Sequence, residues 1–485
     1  MIIALDLGTT SNRCLAITKT GQVKHIQQQE FKQFFPKPGW VEHDAHDIAS
    51  TTLDVLNSVL DNLDTPPSVL GITNQRETVV AWQRSTGLPL HNAIVWQCRR
   101  TAQRINSLSA AQKQYIKTTT GLIADAYFSA SKIEWLVTHC PAVQQAIKAN
   151  DICFGTIDSW ILFKLTAGQS FATDTSNASR TMLVNIHTQQ YDARLLKLFN
   201  IQQHWLPTIK SSDAYFGDTN KQITKKSIPI HAILGDQQAA LFAQCGEDTS
   251  KVKNTYGTGL FVCAATGTKP AQCPSLLTTI AWTRNNTTHY ALEGSMFVGG
   301  SAIQWCRDQL GLIKHASDSE VLAQSITNNA NVYFVPALTG LGAPHWDSSA
   351  RGLLIGLTRG TSKAHIIRAV LESLAYQTKD VYDLLKQFLP NLNSLYVDGG
   401  AAENNFLMQF QSDILQVPVY KLSTTQSTAV GVAGLAGITT NMFSESHFRS
   451  FFSVKTHYTP ALTQSDIDAL YLPWKKAITK ALNWT

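Results

Sequence analysis

Apolar positions along the chain fall into short runs separated by longer stretches of helical period. Residues 2–6 form an apolar run ending in Asp6. A Gly8-Thr9-Thr10 turn follows, and residues 13–18 and 23–29 read as two more strands, so the chain opens as a β-meander. Ile48, Val55, Leu56, Val59, Leu60 and Leu63 then recur at helical spacing, with Asp44 or Asp47 placed to cap the first turn. Strands are predicted at 69–73, 78–82, 93–96 and 332–335. Ile366, Ile367, Val370, Leu371, Leu374, Val381, Leu385 and Phe388 mark a long amphipathic helix starting near Thr361 or Ser362. A strand at 395–398 runs into Gly399-Gly400, and a helix carrying Phe406, Leu407, Phe410 and Ile414 follows, with Asn404 expected one turn inside it. Strand and helix signals alternate, which predicts an α/β fold.

The opening pattern returns near mid-chain. Lys253-Asn254-Thr255-Tyr256-Gly257-Thr258-Gly259 precedes a second apolar run at 260–265, and again a Gly/Thr turn sits between two strands. We read two related domains, 1–247 and 248–485, whose turns face a shared cleft. The boundary falls between Cys245 and Val252, where Gly246-Glu247-Asp248-Thr249-Ser250 is polar and turn-prone.

Composition narrows the setting. At roughly 100–200 residues per domain, 485 residues allow two to four domains; the repeated opening selects two. A hydrophobic content of 44% excludes a disordered chain, and the lack of an apolar run of about 18 residues excludes a membrane-spanning helix. Met1 leads straight into an apolar stretch without a charged leader, so no secretory signal is expected and the protein reads as cytoplasmic. The 40 basic and 34 acidic residues leave +6, dispersed without blocks of like charge, which argues against nucleic-acid or membrane-surface partners. The eight cysteines form no C-x-x-C pair, so structural zinc and a disulfide framework are not expected.

Four constellations carry candidate chemistry. Asp6-Leu7-Gly8-Thr9-Thr10-Ser11-Asn12-Arg13 places a strand-end carboxylate, a tight turn, hydroxyls and one Arg together, a set suited to phosphate oxygens and a hydrated divalent cation, though an ordinary hairpin turn uses the same residue types. Gly235-Asp236-Gln237-Gln238 sets a carboxylate at the end of a strand, where α/β ligand crevices lie, or equally as a helix N-cap. Arg76 and Glu77 offer a forked donor beside an acceptor, as vicinal hydroxyls require, or alternatively a surface salt bridge. Asp398-Gly399-Gly400 leads toward Asn404 through backbone on which a flat ligand can lie, or is simply a tight strand–helix turn.

Taken in order, these segments and Ile94-Val95-Trp96-Gln97-Cys98-Arg99-Arg100, Tyr127-Phe128-Ser129-Ala130-Ser131-Lys132 and residues 352–372 resemble the glycerol-phosphorylating members of the FGGY carbohydrate-kinase family, within the actin-like ATPase superfamily. The likeness runs from Ile2 to Trp474-Lys475-Lys476-Ala477. It implies two actin-like (ribonuclease H-like) ATPase domains around a central cleft. It also implies ATP with Mg²⁺ as phosphoryl donor, glycerol as acceptor and a homo-oligomer, dimer or tetramer. By the resemblance, Thr9, Thr10, Ser11 and Arg13 match the phosphate loop and Asp6 the Mg²⁺-associated carboxylate. Thr258 matches the phosphate contact of the second domain, and Gly300, Gln304, Gly400 and Asn404 the adenine-nucleotide pocket. Arg76, Glu77, Tyr127, Asp236 and Gln237 match the glycerol set, Trp96 and Phe261 its apolar walls, and Asp236 the catalytic base.

Three positions depart from the family pattern. Lys-Gln-Ile-Thr-Lys-Lys-Ser between Asn220 and Ile228 lacks the Gly-rich, Arg-bearing loop with which some bacterial relatives bind fructose 1,6-bisphosphate. Glu403 adds a negative charge beside the adenine pocket. His345 stands where relatives often have Tyr. Two alternatives stay open: a kinase for another sugar or polyol, and an actin-like ATPase whose closure drives partner binding.

Overall fold

The computed structural model describes residues 1–424 and 426–484. Strand β1 (Ile2–Leu7) is apolar and almost wholly buried, as a strand covered on both faces requires. It turns back into β2 (Ser11–Ile17) and then β3 (Val23–Glu30), all antiparallel. The free edge of β1 pairs in parallel with β4 (Val69–Asn74), and β4 pairs in parallel with β5 (Pro229–Gly235). Helix α1 (Ala45–Asp61) joins the meander to β4; Asp44 is its N-cap, accepting the His46 amide at 2.7 Å.

The second half repeats this pattern. Strands β6 (Lys251–Tyr256) and β7 (Leu260–Gly267) form the second hairpin, β8 (Leu277–Arg284) and β9 (Thr287–Met296) extend it, and β10 (Ser394–Asp398), β11 (Val419–Leu422) and β12 (Val454–Tyr458) complete the sheet in the order β8-β9-β7-β6-β10-β11-β12. The series β9-β7-β6-β10-β11 has the same sequence of antiparallel and parallel pairings as β3-β2-β1-β4-β5. The two Gly/Thr turns therefore occupy equivalent places. A smaller five-stranded sheet, which includes Val79–Trp82 and Ala93–Ile94, is inserted in the first half and carries the loops of Trp96 and Tyr127.

Two helices bind the halves together. Helix α2 (Asp236–Gln244) follows β5, and α6 (Ser427–Thr439) comes from the far end of the chain. Between them in sequence lie α3 (Gly300–Asp308), α4 (Lys363–Phe388) and α5 (Asn405–Leu415). Although α6 belongs to the second half, it packs on β1, β4 and β5 and against α2. Ile2, Ala4, Val69 and Leu234 share one core with Val432, Ala433, Cys263 and Trp282. Close approach depends on Gly431, where any Cβ would run into the Ala239 carbonyl oxygen of α2. On the other side, the edge of β8 is covered by the first half: Thr278 N donates to Gly121 O at 2.9 Å, and Ser212 N to Thr283 O at 2.9 Å.

Two expectations shift in detail. The strand at 93–96 ends at Ile94, because Trp96 N turns to donate to Thr78 Oγ1 (3.2 Å), which swings the indole toward the cleft. A 3₁₀ turn, Gly400–Glu403, takes up the chain after β10, so Asn404 is the N-cap of α5 instead of lying a turn inside it. The long helix starts at Lys363 with Ser362 as its cap. All eight cysteines are buried and unpaired. Among the described residues no helix is long and apolar enough to cross a membrane.

Gly431→Ala tests the helix contact. In an isolated helix this change is favourable by about 1 kcal/mol. Here the new methyl meets backbone in a close-packed core, where overpacking costs about 1–3 kcal/mol. The variant should therefore unfold at lower urea concentration than the parent; an unchanged or raised midpoint would show that the helices are free to part.

Candidate active site

The site grows from the ends of strands. Asp6 and Arg13 are cross-strand neighbours on β1 and β2, with Arg13 Nη1 3.8 Å from Asp6 Oδ2 and 2.6 Å from Gln426 Oε1. Gly8 N donates to Ser11 O (3.0 Å) and closes the turn. Thr9 Oγ1 accepts the Trp96 indole N–H at 3.0 Å, and Ser11 Oγ the Gln28 amide at 3.0 Å. The second turn rests on the start of α3, where Gly300 N donates to Gly257 O and Gly299 N to Thr258 O, both at 2.8 Å. Asp398 ends β10, accepting Gln244 Nε2 at 2.7 Å while its other oxygen has no partner. Gly399 beside it has φ +89°, and a Cβ there would lie 2.5 Å from Tyr256 O, so only glycine fits. Burial pushes the Asp6 carboxyl above its ordinary value; Asp398 adds to the rise and Arg13 opposes it.

The other end of the site is a buried charge cluster. Arg76 follows β4 and is 2% exposed. Its Nη1 and Nη2 form a fork on Glu293 of β9 at 2.6 and 2.9 Å, and its Nε lies 3.1 Å from Asp236 Oδ1. Arg180 Nη2 reaches the same Glu293 at 3.0 Å, and its Nε holds Glu77 at 2.5 Å. Glu293 also accepts Ser295 Oγ at 2.7 Å, and the two arginines hold its carboxyl far below the usual range against the opposing effect of burial. Burial instead pushes Glu77 and Asp236 upward, with Arg180 and Arg76 opposing. Glu77 sits at φ +62°, a left-handed conformation that a non-glycine residue holds only under constraint. The surface salt bridge and the helix N-cap are thus both set aside. Arg76 and Glu77 are buried, and Gly235 caps α2 while Asp236 is its first residue. Asp236 is the one cluster carboxylate open to the cleft, its side chain 28% exposed against 0–2% for Glu77 and Glu293.

Asp6, Thr9, Thr10, Ser11, Arg13, Arg76, Glu77, Trp96, Tyr127, Asp236, Gln237, Thr258 and Phe261 line one cavity of about 270 Å³, closed by rings from both halves. The Trp96 ring centroid is 5.6 Å from Tyr127 and 5.8 Å from Phe261. The four positions expected to receive the nucleotide lie outside this cavity. Gly400 lines an adjoining cavity with Arg13, Asp398, Glu403 and Lys421. Gly300 opens α3 opposite Ala401, Gln304 is exposed one turn on, and Asn404 donates to Ser319 Oγ at 3.2 Å. Glu403 is paired with Lys421 at 2.5 Å, which offsets its charge. His345 is remote from the acceptor: its Nε2 is 4.0 Å from Asp380, a carboxylate also held by Tyr471 and Trp474.

Arg180, Glu293 and Lys253 were not singled out from the sequence. A signal existed for the first two. Asp174-Thr175-Ser176-Asn177-Ala178-Ser179-Arg180 is polar yet buried, and Asn177 pairs reciprocally with Asn74 at 3.0 and 3.1 Å, two residues before Arg76. Glu293 is a lone carboxylate in the apolar strand Tyr290-Ala291-Leu292-Glu293-Gly294.

Paired sheets of this kind with a phosphate-type turn on each side define a two-domain sugar-kinase fold. The N-terminal domain of the FGGY family of carbohydrate kinases matches residues 1–243 and its C-terminal domain residues 252–440, so the chain belongs to the FGGY family of carbohydrate kinases. It is 46% identical to a glycerol kinase of Alkaliphilus oremlandii, covering 100% of this chain and 97% of that protein. It is 44% identical to glycerol kinase 2 of Thermotoga maritima, covering 100% and 99%. The structure of Plasmodium falciparum glycerol kinase with ADP superposes with a TM-score of 0.90 at 34% identity, covering 99% of this chain and 98% of that one. A xylulose kinase from Lactobacillus acidophilus shares the fold at 22% identity and a TM-score of 0.87, covering 99% and 98%.

Glu293→Gln removes the charge that both arginines share. Breaking a buried ion pair from one side costs about 3–5 kcal/mol, so the variant should unfold at markedly lower urea concentration. A midpoint equal to the parent's would show that Arg76 and Arg180 are balanced elsewhere.

Proposed function

We propose that the chain transfers the γ-phosphoryl group of ATP to a terminal hydroxyl of glycerol, giving ADP and sn-glycerol 3-phosphate. The observation that carries this reading is the placement of Asp236: an ionisable, cleft-facing carboxylate in the same cavity as both Gly/Thr turns. The near-full-length likeness to glycerol kinases supports the choice of acceptor.

Phosphoryl transfer passes through a loose transition state, so positioning and charge neutralisation do most of the work. Thr9, Thr10, Ser11 and Arg13 hold donor phosphate oxygens from the first half and Thr258 from the second, while Gly300, Gln304, Gly400 and Asn404 receive the adenine nucleotide. Asp6 would hold Mg²⁺, with Asp398 facing it. Their mutual repulsion and the unpartnered Asp398 oxygen suit a cation there. Mg²⁺ typically takes only one or two carboxylates and completes its shell with phosphate and water, and among the described residues no group of three or more metal-type side chains exists. When bound, the ion offsets phosphate charge. Asp236 accepts the proton of the attacking hydroxyl, Arg76 and Glu77 fix the other two with Gln237 and Tyr127 beside them, and Trp96 and Phe261 cover the carbon chain. We read residues 1–247 as the acceptor unit and 248–485 as the nucleotide unit, closing on each other to exclude water.

Coupled detection of ADP with and without glycerol tests the reaction, and a panel of sugars and polyols tests the acceptor. ADP formation that ignores glycerol would overturn the reading. Asp236→Asn should lower kcat by about 10²–10⁴-fold, the usual yield of general-base catalysis; near-parental kcat would remove Asp236 from that role.

The base acts only when ionised, and burial raises its pKa. The acidic limb of kcat/KM should therefore lie above the ordinary aspartate value of about 3.9, with activity lost as pH falls through it. A limb at or below that value would show that Arg76 and Lys253 outweigh burial.

A further inference from the structure

One buried cation at the site has no part in this scheme. Lys253 of β6 is 0% exposed. An ammonium buried this way must be paired or fully hydrogen-bonded. Its Nζ donates to Gln237 Oε1 across the junction of the halves, and to Thr255 Oγ1 at 2.7 Å. Both partners line the acceptor cavity, and the lysine lies behind them.

The contact decides which way an amide faces. A glutamine side chain accepts at one end and donates at the other, and its own geometry does not choose between them. An ammonium only donates. Oε1 is therefore committed to Lys253, and the Gln237 NH₂ is left to face the cavity as a donor. Asp236, the preceding residue, is an acceptor. The pair then presents one donor and one acceptor, the complement of neighbouring hydroxyls. The charges facing Asp236 are Arg76 from its own half and Lys253 and Glu293 from the other; the two cations favour its ionised form and Glu293 opposes it. Glu77 and Arg180, behind them, are paired with each other.

We propose that Lys253 is a positioning residue of the acceptor site: from the second half it fixes the Gln237 amide as a donor to the acceptor and sets a second cation beside Asp236. The proposal rests on the acceptor reading above.

Three variants separate its two effects, with kcat, KM for glycerol, KM for ATP and the pH profile of kcat/KM measured for each. Lys253→Met loses both effects. Its KM for glycerol should rise by up to about tenfold, as for one hydrogen bond between neutral groups, while KM for ATP stays put. Its acidic limb should move up by about one pH unit, since removing a nearby cation disfavours the carboxylate. Lys253→Gln keeps a donor for Oε1 without charge; its limb should move in the same direction with KM for glycerol near the parent's. Lys253→Arg keeps the charge, and its limb should stay in place. A lysine that serves only the fold would lower the melting temperature and leave both the limb and the ratio of the two KM values unmoved, and that result overturns the proposal. If Lys253→Met does not fold, the limbs of the Gln and Arg variants decide by the same criterion. A parent enzyme that makes no ADP with glycerol sinks the acceptor reading itself, whereas an active parent with indifferent variants sinks only the role of Lys253.

Discussion

The structure turns on one carboxylate shared by two arginines. Glu293 stands in the sheet of the second half, while Arg76 and Arg180 belong to the first, and all three are sealed from water. Such a cluster stabilises only when every charge is met with good geometry. Here the fork from Arg76, the second arginine and the Ser295 hydroxyl meet it. The charges run Arg76 and Arg180 against Glu293, Glu77 and Asp236. Two cations serve three carboxylates, and the carboxylate with most access to the cleft is the one assigned to take a proton. Lys253, next to Gln237, supplies the balancing charge. The acceptor pocket is thus assembled across the junction of the halves, and its electrostatics are complete only when the halves meet.

That dependence explains the shared core. Helix α6 returns from the second half to cover β1, β4 and β5, and β8 is stitched to the first half along its edge. Two separately closed domains would have to expose both surfaces. The duplicated hairpins then face one another because the sheets that carry them are fixed by α2 and α6, whose close contact needs Gly431. The small residues of α6, an almost uniformly apolar helix with little amphipathic character, follow from its burial between the first sheet and α2.

How much of this was legible depended on the range of the interaction. Strand and helix periodicity foretold the meander, the second hairpin and the long helix, because burial of one face is a local pattern. The residues expected to serve the acceptor and the phosphates come from segments that resemble those of a known family, and the structure gathers them around one cavity. Glu293 and Lys253 were not singled out. Each lies in a strand where a charged residue reads as an interruption, and its meaning comes from a partner far away in sequence: Arg76 lies 217 positions from Glu293. Arg180 was hidden for a related reason, since a run of Thr, Ser and Asn reads as a surface loop until burial turns it into a hydrogen-bonded network.

The geometry also changes the meaning of Arg76. A guanidinium has five N–H groups. Nε lies 3.1 Å from Asp236 Oδ1 in an ion pair, and Nη1 donates to Glu293 and to Gln238 at 3.2 Å. Nη2 donates to Glu293 and lies 3.5 Å from the Tyr127 hydroxyl. At most one N–H is free for a substrate hydroxyl. The chief contacts of Arg76 in the structure are thus with other protein groups, and its charge beside Asp236 favours the ionised carboxylate. This role needs a planar fork, since Glu293 and Asp236 are met from different edges of one rigid group. A lysine supplies a point charge and would satisfy one carboxylate at the expense of the other. Arg76 is thus tied to Asp236 and Glu293 at once, whereas Gln237 has its side chain held by Lys253 and its backbone N–H donated to Asp236 Oδ1 at 2.7 Å.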